Sequence, residues 1–334
     1  MPPAQNGDLQ HASVAIRDFQ PEDYRAIVEI GNLLYPEHPE TVEELRYWDE
    51  HFDRSRYVDR RYVAVDPGTN AVVASGHYNH MPWAFHPQRF WMWIGVHPGR
   101  HRQGIGGAMF DRILEDLWRR DAISLKASAR ENMPESLAFL QRRGFREVMR
   151  AWESRFDLTT FDPARFAEEA KVPPSIQIVT LADEMARDPE SLRRVYDLVN
   201  IVAPDAPRTD PYTPPGFEMF RDDVLGSPGA LPEAFLLAKD GASYVGESDL
   251  RRSDAMPGEL ITGFTGVLRE YRGRGIALAL KLRAIEYARG HGYRRIRTWN
   301  STLNAPMLGI NVKLGFVKQP AWIHFEKTLA GEAR

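Results

Sequence analysis

Two glycine-containing turns have the residue types and spacing that could do chemistry. The second turn reads Arg272-Gly273-Arg274-Gly275-Ile276-Ala277 and lies between a predicted strand and a predicted helix. In such a turn several backbone N–H groups can point into one concavity, and the helix adds its unpaired N-terminal N–H groups. Glycine lets the backbone approach an anion closely, and arginine adds charge-assisted hydrogen bonds. The turn therefore predicts a pyrophosphate site.

The first turn repeats the second at a constant offset of 171 residues, which aligns Val96 with Val267 and Gly104 with Gly275. The same offset relates Phe145 to Phe316 further along the chain. The corresponding candidate residues of the first half are Val96, His101, Arg102, Gln103, Gly104, Ile105 and Gly106. A repeat of this length predicts two domains of similar fold.

Hydrophobic periodicity and turn residues predict alternating strands and helices in both halves. In the first half the predicted strands are 13–17, 61–66, 71–80, 90–96 and 123–127, and the helices are 21–32, one opening at 104, and 135–143. In the second half the predicted strands are 176–180, 235–239, 243–250, 259–267 and 295–299, and the helices are 189–199, 276–289 and 305–314. The predicted fold class is α/β.

A proline-rich stretch separates the two halves. Residues 172–174 read Val-Pro-Pro and follow a short charged segment, and prolines keep such a segment out of either sheet. We therefore predict an N-terminal domain at 12–158, a linker at 159–174 and a C-terminal domain at 175–331. Residues 203–215 hold five prolines and form a second loop-rich region, which is expected to cover or bind something.

Composition excludes several classes of protein. The formal net charge of −3 argues against generic binding to nucleic acid or to an anionic membrane. The absence of cysteine excludes disulfides, thiolate metal sites and cysteine nucleophiles, and no histidine cluster has metal-ligand spacing. Residues 1–13 lack the apolar segment of a signal peptide, and no apolar run is long enough to span a membrane. We expect a cytoplasmic protein without a metal site.

The second half carries a specific resemblance. Residues 265–277 resemble the acyl-CoA pyrophosphate signature of the GNAT acetyltransferases, and residues 304–316, which end in Leu-Gly-Phe, resemble the helix that closes the domain in that superfamily. The resemblance extends over nearly the whole chain, once per half. It implies two tandem GNAT-like domains, each a mixed, mostly antiparallel sheet flanked by helices.

The resemblance also implies a reaction, acetylation of a small-molecule or peptide amine by acetyl-CoA through direct attack on the thioester. The backbone of Val267 would hold the pantetheine arm and polarise the thioester carbonyl, residues 272–277 would hold the pyrophosphate, and Asn304 would meet the pantetheine. In the first half His101 stands where the family usually has Arg or Gln. Whether that half binds CoA or keeps only a vestigial turn stays open.

The general acid and the general base of such a reaction have no obvious candidates in the sequence. Many relatives carry a tyrosine about four residues before the closing Gly-Phe, where this chain has Leu140 and Asn311. Asn311 could hydrogen-bond the CoA sulfur region or merely pair with the backbone. Glu247 is a candidate general base or an ordinary solvated strand carboxylate, and Asp205 could contact a cationic substrate or be a turn residue.

Two other functions remain possible from the sequence. The missing tyrosine favours a non-catalytic acyl-CoA-binding or sensing protein, and a structural scaffold would bind no CoA at all. The intact signature at residues 272–277 favours the second half as the catalytic one.

Overall fold

The fold is described from a computed structural model, which describes residues 14–168 and 171–330. The ends of the predicted domains and linker at residues 12–13, 169–170 and 331 lie outside the described residues, as do residue 13 of the first predicted strand and the polar segment 1–13. None of the helices in the described part of the chain has the length and apolar character to cross a membrane.

Strands and helices alternate along both halves. The strands are β1 (Ala15–Asp18), β2 (Asp59–Val65), β3 (Val72–Asn79), β4 (Arg89–Val96), β5 (Ser124–Arg130), β6 (Arg146–Asp157), β7 (Ile176–Thr180), β8 (Phe235–Asp240), β9 (Ser243–Arg252), β10 (Glu259–Val267), β11 (Arg295–Ser301), β12 (Val317–Lys318) and β13 (Trp322–Thr328). The α-helices are α1 (Tyr24–Leu34), α2 (Val42–Glu50), α3 (Ile105–Arg119), α4 (Pro134–Arg142), α5 (Leu181–Arg187), α6 (Ser191–Val202), α7 (Phe217–Arg221), α8 (Ile276–Gly290) and α9 (Ala305–Leu314).

All of these strands join one twisted sheet, in the order β1-β2-β3-β4-β5-β13-β6-β11-β10-β9-β8-β7, with β12 paired to β6. The pairs β4–β5 and β10–β11 are parallel, and the other pairs are antiparallel. Helices α3 and α8 each bury an apolar face against the half of the sheet to which they belong. The predicted α/β class, a mixed and mostly antiparallel sheet flanked by helices in each half, is confirmed.

The two halves exchange strands, a feature that the sequence analysis did not predict. Strand β13, at the end of the chain, lies between β5 and β6, and β6 pairs in turn with β11. Opposite residues include Phe325 with Ala127 and Asn300 with Trp152. Each half therefore completes part of the sheet of the other.

Both parallel pairs open after three residues. In the second half Glu259, Leu260 and Ile261 of β10 pair with β11, and pairing stops there. Immediately beyond, a register shift between Thr262 and Thr265 interrupts the pairing of β10 with β9. Such a bulge bends the strand locally. The pair β4–β5 stops in the same way after Trp91.

Glu247 is buried in this framework. It lies on β9 opposite Leu237 and Gly266, is 1% exposed, and neither carboxylate oxygen has a hydrogen-bond partner. Burial and the nearby charge of Asp249 raise its pKa well above the usual range. A carboxyl group in this environment is favoured in its protonated form.

Burial of Glu247 makes stability depend on pH. Because its pKa is raised in the folded state, its proton stabilises the fold fully below the unfolded pKa of about 4.3, and that contribution is lost as the pH rises toward the folded pKa. Glu247→Gln removes the titration. We expect its melting temperature to exceed that of the wild type by an amount that grows from roughly pH 5 to roughly pH 8, at about 2–4 °C per kcal/mol.

Melting is followed by calorimetry or spectroscopy, and the control is a substitution of Glu29, which is exposed. Glu29→Gln should follow the wild type at every pH. If Glu247→Gln also follows the wild type throughout, Glu247 is ionised in the fold and the interpretation is wrong.

Candidate active site

The separation of β10 from β11 creates a cavity of about 200 Å³. Residues 262–265 of β10 and 298–301 of β11 form its walls, α8 and α9 close one side, and residues 206–208 of the proline-rich loop cover it. Its polar side chains are Arg208, Thr262, Thr265, Lys281, Thr298, Asn300, Ser301 and Asn304. The cavity is therefore suited to an extended ligand with amide and carbonyl groups.

The backbone of β10 also faces this cavity. Leu268 N donates to Val245 O at 2.9 Å. In an antiparallel ladder successive residues direct their N–H and C=O groups to opposite sides. The groups of Thr265 and Val267 therefore point away from β9, toward the side that β11 has left.

The predicted pyrophosphate turn lies at the end of the same strand. Gly273 and Gly275 have φ of 75° and 80°, values that favour glycine, and α8 begins at Ile276. A Cβ added to Gly273 would meet no atom within 4 Å, so the concavity is open. The structure thus brings Val267 and residues 272–277 together at the N-terminus of a 15-residue helix.

Asp205 fastens the proline-rich loop to this turn. Its carboxylate accepts from Arg272 and from Arg269 Nε, the latter at 3.0 Å, and these hydrogen bonds hold its pKa well below the usual range. Arg272 also donates through Nε to Val267 O at 2.9 Å. Asp205 therefore binds arginines of the chain itself, in place of the contact with a cationic substrate considered above.

The candidate asparagines lie on the α9 side of the cavity. Asn304 lines the cavity and caps α9, where its Oδ1 accepts from Met307 N at 3.4 Å. Asn311 is 2% exposed and donates through Nδ2 to Asn300 Oδ1 at 2.6 Å, and its own Oδ1 has no partner. Asn311 therefore pairs with a side chain of the cavity wall rather than with the backbone.

Lys281 is a cavity residue that the sequence analysis missed. It projects from α8, is 4% exposed, and no hydrogen bond or ion pair joins its ammonium to another described residue. Its Nζ lies 5.6 Å from the ring centroid of Phe316. Burial lowers the pKa of Lys281 to about 8, against the opposing charge of Asp249. The available signal was a lysine among the buried apolar positions of α8, where the repeat has Phe110.

The first half keeps the geometry of the turn. Gly104 has the same φ of 80° as Gly275, and Arg102 at φ 63° adopts the conformation of Gly273. His101 donates through Nε2 to Val96 O at 2.9 Å, as Arg272 does to Val267 O. His101 therefore replaces the arginine in this intramolecular contact.

Near the first turn, however, several side chains equivalent to polar ones of the second half are apolar. At five positions the second half has Thr265, Lys281, Thr298, Asn300 and Asn311, and the first half has Ile94, Phe110, Ala127, Ala129 and Leu140. These five side chains belong to, or pack against, the hydrophobic core of that half. The two halves therefore share a turn but differ in the chemistry of the opening beside it.

A larger groove of about 410 Å³ lies between the halves. It is lined by His38, Pro39, Glu40, Glu44 and Trp48 from the first half and by Ser227, Pro228, Gly229, Arg251, Arg252, Ser253, Met256, Ile261, Arg297 and Trp299 from the second. Trp299 lines both this groove and the cavity beside β10, so the two spaces share a wall.

Glu40 is the unpaired carboxylate of this groove. Asn32 fixes its backbone through hydrogen bonds of 2.9 and 3.0 Å, but no described residue bonds its side chain. Burial, and next the charge of Glu44, raise the pKa of Glu40 to about 7. A partly buried carboxylate without a partner is suited to receive a cationic group.

One sequence-predicted candidate, Glu247, does not contribute to the cavity walls. Glu247 is absent from the residues that line either space, so its role as a base stays a prediction. Among residues 14–168 and 171–330, no grouping of three or more His, Asp or Glu side chains could hold a metal ion.

Comparison with solved structures places this architecture among tandem proteins. A tandem GNAT protein from the clavulanic acid biosynthesis pathway is 20% identical, with a TM-score of 0.75, over 96% of this chain and 100% of that chain. A GCN5-related N-acetyltransferase from Sphaerobacter thermophilus is 20% identical, with a TM-score of 0.71, over 94% and 95% of the two chains. At these identities the likeness establishes the fold.

Sequence comparison gives the family. The mycothiol acetyltransferase of Actinosynnema mirum is 26% identical over 242 residues, which are 70% of this chain and 73% of that protein. The chain also matches the Acetyltransferase (GNAT) family twice, over residues 27–145 and 195–316. With both turns, both helices that follow them and both openings inside these segments, the chain belongs to the GNAT family of acetyltransferases.

Proposed function

We propose that the second half transfers the acetyl group of acetyl-CoA to an amine by direct attack on the thioester. The observation that carries this proposal is the contrast between the two openings. Beside the second turn lies a polar cavity, whereas beside the first turn several of the corresponding side chains, Phe110, Ala127 and Ala129 among them, belong to the hydrophobic core. A ligand with amide groups is better accommodated in the polar one.

The residues present fit an acyl-CoA. Backbone N–H groups at the start of α8, with Arg274 beside them, suit the pyrophosphate, and Gly273 leaves room for it. Thr265, Asn300 and Asn304 offer hydrogen bonds to the amides of the pantetheine arm. Acetyl-CoA supplies an activated acetyl group, and the chain contributes binding and orientation.

The chain also offers donors for the charge that develops on the thioester oxygen. The N–H groups of Thr265 and Val267 point toward the cavity, where they are preorganised by the pairing of β10 with β9. Fixed backbone donors in a site shielded from water stabilise such an oxyanion strongly. Residues 206–208 of the proline-rich loop, which cover the cavity, provide part of that shielding.

We further propose that the groove between the halves receives the amine acceptor. The groove shares Trp299 with the cavity, so an acceptor bound there has its amine close to the thioester site. Glu40, contributed by the first half, carries the charge that an ammonium group needs. The first half then acts as a scaffold that completes the acceptor site.

Gly275→Glu tests which half binds acetyl-CoA. A carboxylate at the start of α8 would repel the pyrophosphate, so calorimetry should show binding reduced at least about 100-fold, as expected for several kcal/mol of like-charge repulsion. Gly104→Glu is a matched control because both glycines have φ of 80° and begin the corresponding helix. It should bind as the wild type does.

The opposite assignment, with loss only in Gly104→Glu, would contradict the proposal, and absence of binding to the wild type would remove the acetyltransferase function. Catalysis is then separated from mere acyl-CoA binding by release of CoA thiol with a panel of primary amines. The chain has no cysteine, so a thiol reagent detects CoA alone.

Glu40→Gln tests the acceptor groove, with an amine selected from that panel. Loss of a charge-assisted hydrogen bond should raise KM for the amine roughly 10-fold or more, and leave acetyl-CoA binding unchanged. In the wild type, KM for the amine should fall as the pH rises through about 7, since Glu40 then becomes charged. The variant should lack this dependence.

Glu43→Gln is the control, because Glu43 is exposed on the neighbouring turn of α2. If both variants leave KM for the amine unchanged, the acceptor binds elsewhere.

A further inference from the structure

We propose that Lys281 contacts the sulfur of CoA and donates the proton that converts the departing thiolate to a thiol. The inference rests on the proposed function of the second half. It assigns to a helix side chain the proton donation for which neither Asn311 nor Leu140 has an acidic group.

The position of Lys281 is the first argument. A lysine that is 4% exposed normally has an ionic partner, because burial of an unpaired ammonium costs free energy. Lys281 has no such partner among the described residues, yet it lines the cavity between the separated strands. The equivalent position of the first half holds Phe110, which packs in the core. A buried, unpaired cation directed into a cavity indicates an electron-rich ligand there.

The surrounding groups are consistent with a sulfur ligand. From β10 and β11 the cavity receives hydroxyl and amide side chains, and α9 places the Asn311–Asn300 pair nearby. The charged group that acts on Lys281 is Asp249 of β9, and Arg208 of the covering loop lines the same cavity. Asp249 is engaged by Arg251 Nε at 2.9 Å and by Phe264 N at 2.6 Å. Lys281 therefore keeps its charge available for the ligand.

The proposed step transfers the acetyl group from sulfur to nitrogen and a proton from Lys281 to sulfur. The amine nitrogen forms a bond to the acetyl carbon, the carbon–sulfur bond breaks, and the electron pair of that bond stays on sulfur. An N–H proton of Lys281 moves to the sulfur, and the proton lost by the amine nitrogen leaves to water, from which Lys281 regains its own. With a pKa of about 8, Lys281 is mostly protonated at neutral pH and remains acidic enough to donate.

The test measures the thiol pKa of bound CoA by the ultraviolet absorbance of its thiolate, and therefore needs no acceptor. The chain has no cysteine, so no protein thiolate contributes to the signal, and a titration of the protein without CoA is subtracted to remove the absorbance of ionised tyrosines. An ammonium in contact with sulfur should lower the thiol pKa by about 1–3 units relative to free CoA. Lys281→Met should abolish this shift, and Lys281→Arg should keep it because the charge remains.

Arg208→Met is the matched control, since it removes the other cation of the cavity, and it should leave the shift intact. Loss of the shift in Arg208→Met but not in Lys281→Met would overturn the proposal. So would an unshifted thiol in wild-type protein that binds CoA by calorimetry, while failure to bind CoA at all would instead refute the proposed function. Stable acetylation of Lys281, detected by mass spectrometry after incubation with acetyl-CoA, would also overturn it by making the lysine an acceptor.

Discussion

Strands β10 and β11 pair in parallel for three residues and then separate, and the site depends on this interruption. The gap leaves backbone groups of β10 without a strand partner, and it gives space for a cavity in the middle of a sheet. Unpaired backbone groups in a protein interior are costly, so such a gap is stable only when its polar groups meet ligand, water or side chains. The bulge at residues 262–265 and the pairing of Asp249 with Phe264 N maintain the strand in this shape.

The two halves show how one fold can keep a turn and lose the chemistry beside it. Gly104 and Gly275 have the same left-handed conformation, and His101 reproduces the backbone contact of Arg272. In the first half, however, several of the equivalent positions hold apolar side chains, and their burial contributes to its core. The strand exchange through β13 and β6 joins this half firmly to the other, so its remaining contribution is to support the sheet and to wall the groove.

Local signals in the sequence predicted much of the fold. Glycine caps and apolar spacing gave α9 and strand β10 with their observed ends, and α8 to within one residue. The positions of β6 and β13 could not be predicted, because their pairing depends on contacts between distant parts of the chain. The surroundings of Asp205 and Glu247 could not be predicted either. The sequence around a carboxylate in a loop or strand does not indicate which arginine it contacts or how deeply it is buried. The role of Lys281 could not be predicted for a related reason. The sequence shows a single charge on an apolar helix face, but it does not show the cavity that this side chain lines.

Hydrogen–deuterium exchange of the intact chain, with and without acetyl-CoA, tests the central claim that the cofactor occupies the second opening. Bound ligand slows exchange of the backbone amides that it contacts or encloses. We predict protection at residues 265–277, with residues 94–106 unchanged. Protection confined to residues 94–106, or equal in both segments, would contradict the account.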